Sequence, residues 1–332
     1  MWYFYRKFDS EEITSIVAQV NDLFIKILDE HEFVFPDWME PIILKEYFKN
    51  LKSHYRLSLD EEKTKLIDSF NMNTQIERIC KNEISPISYE ELLRNASTDF
   101  IKCIENIKLI QEYLYENLLK LKHFSDKAMT FKNYYENFYK ETIEYVCPFC
   151  GLDNMLTSKD LYREAFDHYL PKSKYPFVSF LRENLFPICN TCNSLYKNDK
   201  NPNDYGKSFY PFTAQFNDCK LSFEIISGKI EETEINSNYF QEEIETWNSL
   251  LDIKNRINNF ADFNLNGWVS NISEAMRNYG VDFEHALNAE IKACKPQMQD
   301  HKFVKKAVLE ALQGVEEDDA LPTVLEKILL MS

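Results

Sequence analysis

The sequence predicts a mainly α-helical fold with a small α+β insert near the middle of the chain. Its 332 residues include only six glycines, and none of these lies in the first 146 residues, where apolar residues recur at intervals of three and four. Two Cys-x-x-Cys pairs then flank short strand-like stretches, and helical periodicity returns from about residue 239. We therefore expect domains at 1–140, 141–225 and 226–332, with helical regions on both sides of a cysteine-rich unit.

The first region is expected to be a helical accessory domain. Apolar spacing predicts helices at about 10–32, 39–55 and 59–70, with breaks at Pro36 and Pro86. A longer helix of about 25 residues follows, because its apolar stripe is the clearest in the chain. The stripe consists of Ile101, Ile104, Ile107, Leu114, Leu118 and Leu121. Core packing is the ordinary role of such stripes, and a groove for a partner is the alternative.

The middle of the chain predicts the order strand, long loop, strand and helix. The strand candidates are 162–169 and 185–188, and a helix is expected over 190–198. Residues 219–235 alternate on both sides of Gly228 and predict a β-hairpin. Further helices are expected at 242–260, 282–294, 302–313 and 320–331.

The charge distribution argues against tight, unaided binding to nucleic acid. The formal net charge is −16, which divides into −7 for residues 1–146, +1 for 147–207 and −10 for 208–332. Only the middle segment is not acidic, so a partner is expected to supply a basic surface. The basic side chains there that could contact phosphates are Lys172, Lys174, Arg182, Lys197, Lys200 and Lys207.

The sequence is typical of a cytoplasmic protein. It contains no apolar run of about 18 residues and begins without the pattern of a secretory signal. In the cytoplasm its eight cysteines are expected to stay reduced, which favours metal binding over disulfide formation.

The two cysteine pairs, Cys147/Cys150 and Cys189/Cys192, predict a closed tetrahedral zinc site with a structural role. The 38 residues between the pairs, 151–188, exceed the usual zinc-ribbon spacing of roughly 15–20. Iron would use the same four thiolates, whereas a thioredoxin-like redox pair would not explain the second motif. The remaining cysteines are isolated and are expected to be small buried hydrophobes: Cys80, Cys103, Cys219 and Cys294.

Chemically useful side chains lie between and beside these cysteines. His168 can act as a general base near neutral pH, and Asp167 offers a hard carboxylate to Mg²⁺ or Mn²⁺. Asn193 could supply a second oxygen, and Lys197, four residues further on the same helix face, could help to place a phosphate. Because neighbouring strand residues point to opposite faces, Asp167 and His168 converge only if the pleat breaks there.

The string CPFCG…FDHYLPKSKYP…ENLFPICNTCNSLYKND resembles the HNH, or ββα-metal, nucleases that carry a zinc-bound CxxC…CxxC frame. The resemblance covers about residues 145–210 and implies a zinc-stabilised ββα-metal core that cleaves DNA, or alternatively RNA. It implies that His168 is the general base and Asp167 and Asn193 are ligands of the catalytic Mg²⁺ or Mn²⁺. Asn184 would brace the loop, and Lys197 lies one residue beyond its place in the common CNxxK form.

Two further stretches, FYPF at 209–212 and ETWNSLLDIKNR at 245–256, resemble the PtuB-type HNH subunits of Septu and retron-associated antiphage systems. That resemblance implies a defence role and a partner ATPase of the ABC/SMC-like class, PtuA. Two alternatives stay open. One is a non-catalytic zinc-ribbon module that binds nucleic acid or protein, and the other is a helical scaffold stapled by zinc.

Overall fold

The fold is known from a computed structural model. It describes residues 2–5, 11–117, 135–136, 139–140, 146–157, 166–212, 218–226, 228–294 and 301–314. Three predictions lie wholly or partly outside these residues: the end of the long helix with Leu118 and Leu121, the first half of the strand at 162–169, and the helix at 320–331. Within the described ranges, no helix is both long enough and apolar enough to cross a bilayer.

The N-terminal part is helical, as predicted. Its first helix, α1, stops at Leu28 rather than near residue 32, because Glu30 takes a left-handed backbone conformation with φ 58°. The short helix α5 begins with a capping box, in which the Ser88 hydroxyl accepts a bond from the Glu91 amide. The helices are α1 (Glu11–Leu28), α2 (Ile42–Leu57), α3 (Asp60–Asn73), α4 (Ile76–Cys80), α5 (Tyr89–Leu93) and α6 (Thr98–Asn117).

The face of α6 that enters the core differs slightly from the predicted stripe. Ile104, Ile107 and Leu114 are buried as expected, but Ile101 is 38% exposed. Phe100 takes its place on the buried face, since successive helix positions differ by about 100° and only one of the two can point inward. This face packs mainly against α2.

The cysteine-rich middle has the predicted order of strand, loop, strand and helix. Strand β1 (Phe166–His168) pairs antiparallel with β2 (Leu185–Pro187), and Asp167 lies opposite Phe186. The helix that follows, Thr191–Lys197, is a π-helix, with a bond from the Asn198 amide to the Asn193 carbonyl five residues earlier. Such wide turns are rare and often occur at functional sites.

The described residues of the C-terminal part form the predicted hairpin and four helices. Strands β3 (Lys220–Ile226) and β4 (Lys229–Asn236) turn at Gly228, whose φ is 83°. The single helix predicted over 242–260 is instead two helices, because Asp252 between them takes φ 54°. The helices are α7 (Gln241–Leu251), α8 (Ile253–Tyr279), α9 (Phe283–Ala293) and α10 (Lys302–Gln313).

The buried apolar side chains form two clusters, which we call the helical-domain core and the cysteine-side core. Helices α1–α3, α5 and α6 supply most of the helical-domain core. The cysteine-side core joins the four cysteines to the hairpin, to α7–α10 and to Tyr5. Phe177 and Phe180, from the loop between β1 and β2, belong to the helical-domain core. The division into three domains stays a prediction. Residues of the predicted domains 141–225 and 226–332 share the cysteine-side core.

Candidate functional site

The four cysteines of the two Cys-x-x-Cys motifs come together as predicted. The Sγ atoms of Cys147, Cys150, Cys189 and Cys192 all lie within 4.8 Å of one another and are buried. The distance from Cys150 Sγ to Cys189 Sγ is 3.9 Å. A tetrahedral zinc ion with Zn–S bonds of about 2.3 Å would place its sulfurs about 3.8 Å apart. The cluster is therefore compatible with a structural zinc site.

The backbone around each cysteine pair is shaped for metal binding. The Leu152 amide lies 3.4 Å from Cys150 Sγ, and the Cys192 amide lies 3.4 Å from Cys189 Sγ, so each turn directs an N–H toward sulfur. Gly151 has φ 70°, and a Cβ there would come within 2.6 Å of the Phe303 ring. Glycine suits this position because it adopts the positive φ without strain and leaves room for the Phe303 and Trp2 rings.

A second layer of charge surrounds the sulfurs. Arg256, near the start of α8, donates to Cys192 Sγ at 3.2 Å and lies 3.7 Å from the Asp153 carboxylate. The Cys189 thiol in turn lies 3.0 Å from that carboxylate. The Arg256 guanidinium also stacks on Tyr196, 4.5 Å from the ring centre. One cation from the C-terminal helices thus offsets part of the negative charge that four zinc-bound thiolates would carry.

The pKa shifts of the clustered thiols also favour a bound cation. Burial raises the pKa of the Cys147 thiol, whereas hydrogen bonds from the other three thiols lower the pKa of Cys150. Four adjacent thiols cannot all ionise unless a cation compensates their charge. A divalent metal would remove this conflict, and the residues present fit zinc.

His168 is held at the end of β1 by a backbone carbonyl from the following loop. Its Nε2 lies 2.8 Å from the Ser179 carbonyl oxygen, and its ring lies 4.8 Å from the Tyr115 ring of α6. The residue is only 7% exposed, and burial lowers the pKa of His168 to about 3. The neutral imidazole therefore donates from Nε2, and its lone pair is on Nδ1.

Asp167 forms a buried ion pair with Lys197 of the π-helix. The Lys197 Nζ lies 2.9 Å from Asp167 Oδ2 and donates to the His168 carbonyl oxygen at 2.7 Å. Burial raises the pKa of Asp167, and the Lys197 charge opposes that effect. Among the described residues Oδ2 accepts no well-aligned hydrogen bond, so its contact with Lys197 is electrostatic.

β1 keeps a regular register through both residues, so their side chains have different neighbours. Asp167 faces the π-helix, whereas the His168 ring contacts α6 and the loop. The break in the pleat on which the sequence argument depended is not seen within β1.

The two asparagines differ in their surroundings. Asn184 is fully buried, and its amide donates to the carbonyls of Leu170 and Val178 while its oxygen accepts from the Leu170 amide. These bonds brace the loop between β1 and β2. Asn193 is half-buried on the π-helix, where its backbone N–H donates to the Cys189 carbonyl.

The basic residues of the middle segment are mostly committed to local contacts. Lys197 is fully buried, Lys207 pairs with Glu243 at 2.8 Å, and Lys172 lies 3.6 Å from the centre of the Tyr115 ring. Lys174 and Lys200 remain exposed. A phosphate chain could therefore meet only part of the predicted basic set on this face.

Sequence reasoning missed several residues of this site. Ser179, Gln111 and Tyr115 surround His168 but belong to no recognisable motif. Arg256 had a signal, since it ends the stretch 245–256 that was singled out for its resemblance. Trp247 of the same stretch packs on Phe149, between the first two cysteines, with ring centres 4.6 Å apart.

Comparison with known proteins gives little. No family model matches the chain, and no solved structure matches it. A stretch of 86 residues is 36% identical to protein ea31 of Escherichia phage lambda. That alignment covers 26% of this chain and 25% of the phage protein, so the similarity is confined to about a quarter of each.

Proposed function

We propose that this protein is a metal-dependent nuclease that hydrolyses phosphodiester bonds of DNA, with RNA as the alternative substrate. The observation that supports it best is the bond between His168 Nε2 and the Ser179 carbonyl. This bond fixes the neutral tautomer in which Nδ1 is the proton acceptor, as a general base requires. The strand–loop–strand–helix order and the adjacent four-cysteine cluster add to the resemblance to HNH nucleases.

In the proposed reaction, His168 Nδ1 takes a proton from a water molecule. The water oxygen then bonds to phosphorus as the bond from phosphorus to the leaving oxygen breaks, and that oxygen takes a proton from solvent. A divalent cation held by Asp167 and Asn193 would supply charge stabilisation at the phosphate. Lys197 would keep β1 joined to the π-helix through its bond to the His168 carbonyl.

The charge of the chain supports a partnered enzyme. At −16, the protein as a whole repels nucleic acid, and its exposed lysines near the site are few. We propose that an ATPase of the ABC/SMC-like class, as the PtuB resemblance implies, supplies the basic surface in an antiphage complex. If this ATPase binds the nucleic acid, cleavage would also be restricted to the complex of the two proteins.

The test is cleavage of plasmid, single-stranded DNA and RNA with Mg²⁺ or Mn²⁺. The protein is assayed alone and co-expressed with the products of adjacent reading frames. We expect cleavage that His168→Ala abolishes and His285→Ala preserves, because His285 is exposed on α9, away from the cysteines. If no substrate is cut in a His168-dependent way in either form, the nuclease proposal is wrong.

A second candidate is a non-catalytic zinc-stabilised module that binds nucleic acid or protein. The burial of Asp167, His168 and Lys197 favours it, as does the difference between the neighbours of Asp167 and His168. Under this alternative His168 serves to pack α6 against β1. Binding that survives His168→Ala, with no cleavage in any metal, would select it.

A further inference from the structure

The loop between β1 and β2, residues 169–181, is anchored in the helical domain. The Tyr89 amide donates to the Lys174 carbonyl at 2.8 Å, and Asn73 Nδ2 lies 3.2 Å from the Pro176 carbonyl. Phe177 packs edge-on against Phe24 and Phe70, with ring centres 5.1 Å from each. The loop that shapes the candidate site therefore depends on helices far away in the sequence.

Phe177 shows how firmly this loop is held. Its φ is 68°, a left-handed conformation that is costly for a bulky side chain. The packing of its ring in the helical-domain core offsets that cost. The backbone two residues later, at Ser179, is thereby placed against α6.

Ser179 is bound to Gln111 of α6 by two hydrogen bonds. Its amide donates to Gln111 Oε1 at 3.2 Å, and its hydroxyl donates to the Gln111 carbonyl at 3.1 Å. Gln111 is itself fixed, because its Nε2 donates to the Tyr89 hydroxyl at 2.7 Å. The Ser179 carbonyl, in turn, accepts a hydrogen bond from His168 Nε2. A chain of hydrogen bonds thus runs from Tyr89 through Gln111 and Ser179 to the imidazole.

The same helix also contacts the imidazole directly. The Tyr115 ring, one turn beyond Gln111, lies against His168 at 4.8 Å, inclined by 51°. The Lys172 ammonium, from the loop between β1 and β2, contacts the same Tyr115 ring. The imidazole is therefore held at Nε2 through Gln111 and along its face by Tyr115.

We propose that Gln111 is a positioning residue for His168, and that the helical domain is part of the candidate catalytic site rather than an accessory to it. The inference rests on the proposed function in that it assigns His168 as the base. Gln111 acts through Ser179: it fixes the carbonyl that selects the Nε2–H tautomer and so leaves Nδ1 as the proton acceptor of the ring.

The test compares Gln111→Leu with a matched control, Asn106→Leu. Asn106 is also a buried amide on α6, but its side chain donates to the Lys102 carbonyl within the same helix. The tautomer of His168 is read from ¹⁵N-histidine spectra, with His168→Asn identifying its signals among the six histidines. Cleavage is measured in parallel as kcat and KM in the form of the protein that is active.

We expect Gln111→Leu to mix the two tautomers and to lower kcat by on the order of 10²-fold, with KM little changed, because a small displacement of a reacting group costs that much. Asn106→Leu should leave both readouts as in the wild type. A wild-type tautomer and kcat in Gln111→Leu would overturn the inference, as would equal losses in the control.

If Gln111→Leu does not fold, Tyr89→Phe decides the question. It removes only the hydroxyl that fixes Gln111, and we expect the same tautomer change to a smaller extent; no change overturns the proposal. The two proposals fail separately. A wild type that cleaves nothing ends the nuclease assignment, whereas the spectra of the variants still show whether Gln111 positions His168.

Discussion

Lys197 and Asp167 form an ion pair that is almost completely buried, with side-chain exposures of 1% and 8% and an Nζ–Oδ2 distance of 2.9 Å. The pair joins the π-helix to β1 beside the candidate base. It has two consequences. Removal of the lysine would leave an uncompensated carboxylate in the interior. In addition, the ammonium contacts Asp167 Oδ2, so the divalent cation that we propose Asp167 to hold would compete with it for this oxygen.

We expect Lys197→Met to lower the free energy of unfolding by about 3–5 kcal/mol when no Mn²⁺ or Mg²⁺ is added. Mn²⁺ should then stabilise the variant more than the wild type, because Asp167 no longer has a competing cation. Denaturant unfolding with and without Mn²⁺ measures both effects. Lys174→Met is the control, since its exposed pair with Asp199 at 3.7 Å should contribute no more than about 1 kcal/mol. Equal stabilisation of wild type and Lys197→Met by Mn²⁺ would show that the ammonium and the metal do not share a site.

Zinc removal is expected to loosen the whole cysteine-side core. The segment from Cys147 to Leu152 supports distant parts of the chain: the Trp2 amide donates to the Pro148 carbonyl at 2.7 Å, and His301 Nε2 lies 2.6 Å from the Leu152 carbonyl. Treatment with a chelator, or the change Cys189→Ser, should therefore lower the melting temperature and weaken the near-UV circular dichroism of the buried tryptophans.

Cys103→Ala is the matched control for zinc removal, because Cys103 lies in the helical-domain core away from the cluster. Metal analysis should find about one zinc per chain in this control and clearly less in Cys189→Ser. Retention of a full zinc complement by Cys189→Ser would contradict the four-cysteine site.

Arg256→Ala is expected to weaken zinc retention without abolishing it. The guanidinium donates to Cys192 Sγ at 3.2 Å and is 10% exposed, so its charge is little screened by water. Loss of an outer partner of this kind typically costs about 10–100-fold in metal affinity. Competition with a chromogenic chelator measures the change. Arg277→Ala, an exposed position on the same helix, is the control and should release zinc at the wild-type rate.

His168 should make the protein less stable as the pH falls. Burial lowers the pKa of His168 from 6.5 to about 3, so between these values the unfolded chain binds a proton that the folded chain does not. The neutral, buried His168 therefore costs no stability above pH 6.5, and the free energy of unfolding falls as the pH drops below that value. Between about pH 7 and pH 5 the loss from this residue should be about 2 kcal/mol. His168→Gln should show a shallower dependence in denaturant unfolding.

His285→Gln provides a control of opposite sign. The hydrogen bond that the His285 ring donates to the Asp282 carboxylate raises the pKa of His285, so that residue contributes stability below pH 6.5 that is lost as the pH rises. Its removal should leave the acid loss as steep as in the wild type or steeper. A His168→Gln variant with the wild-type slope would show that His168 is accessible to protons in the folded protein.

Local patterns predicted much of the secondary structure. The helices α2, α3 and α10 and the β3–β4 hairpin lie within a few residues of their predicted positions, because apolar periodicity and turn residues act over short stretches. Asp252 illustrates the limit. No glycine or proline marks the break between α7 and α8, and Asp252 adopts its left-handed conformation where Trp247 and Ile253 pack into the cysteine-side core.

The sequence by itself determined the four candidate zinc ligands. Two residues between paired cysteines allow both sulfurs to reach one ion, and that constraint holds wherever the chain goes between the pairs. Tertiary structure alone decided what surrounds His168 and Cys192. Gln111 and Ser179 are 68 residues apart, and Arg256 and Cys192 are 64 residues apart. Both pairs meet only because the hydrophobic cores bring distant segments of the chain together. Contacts of that kind depend on how whole faces pack, which no local spacing encodes.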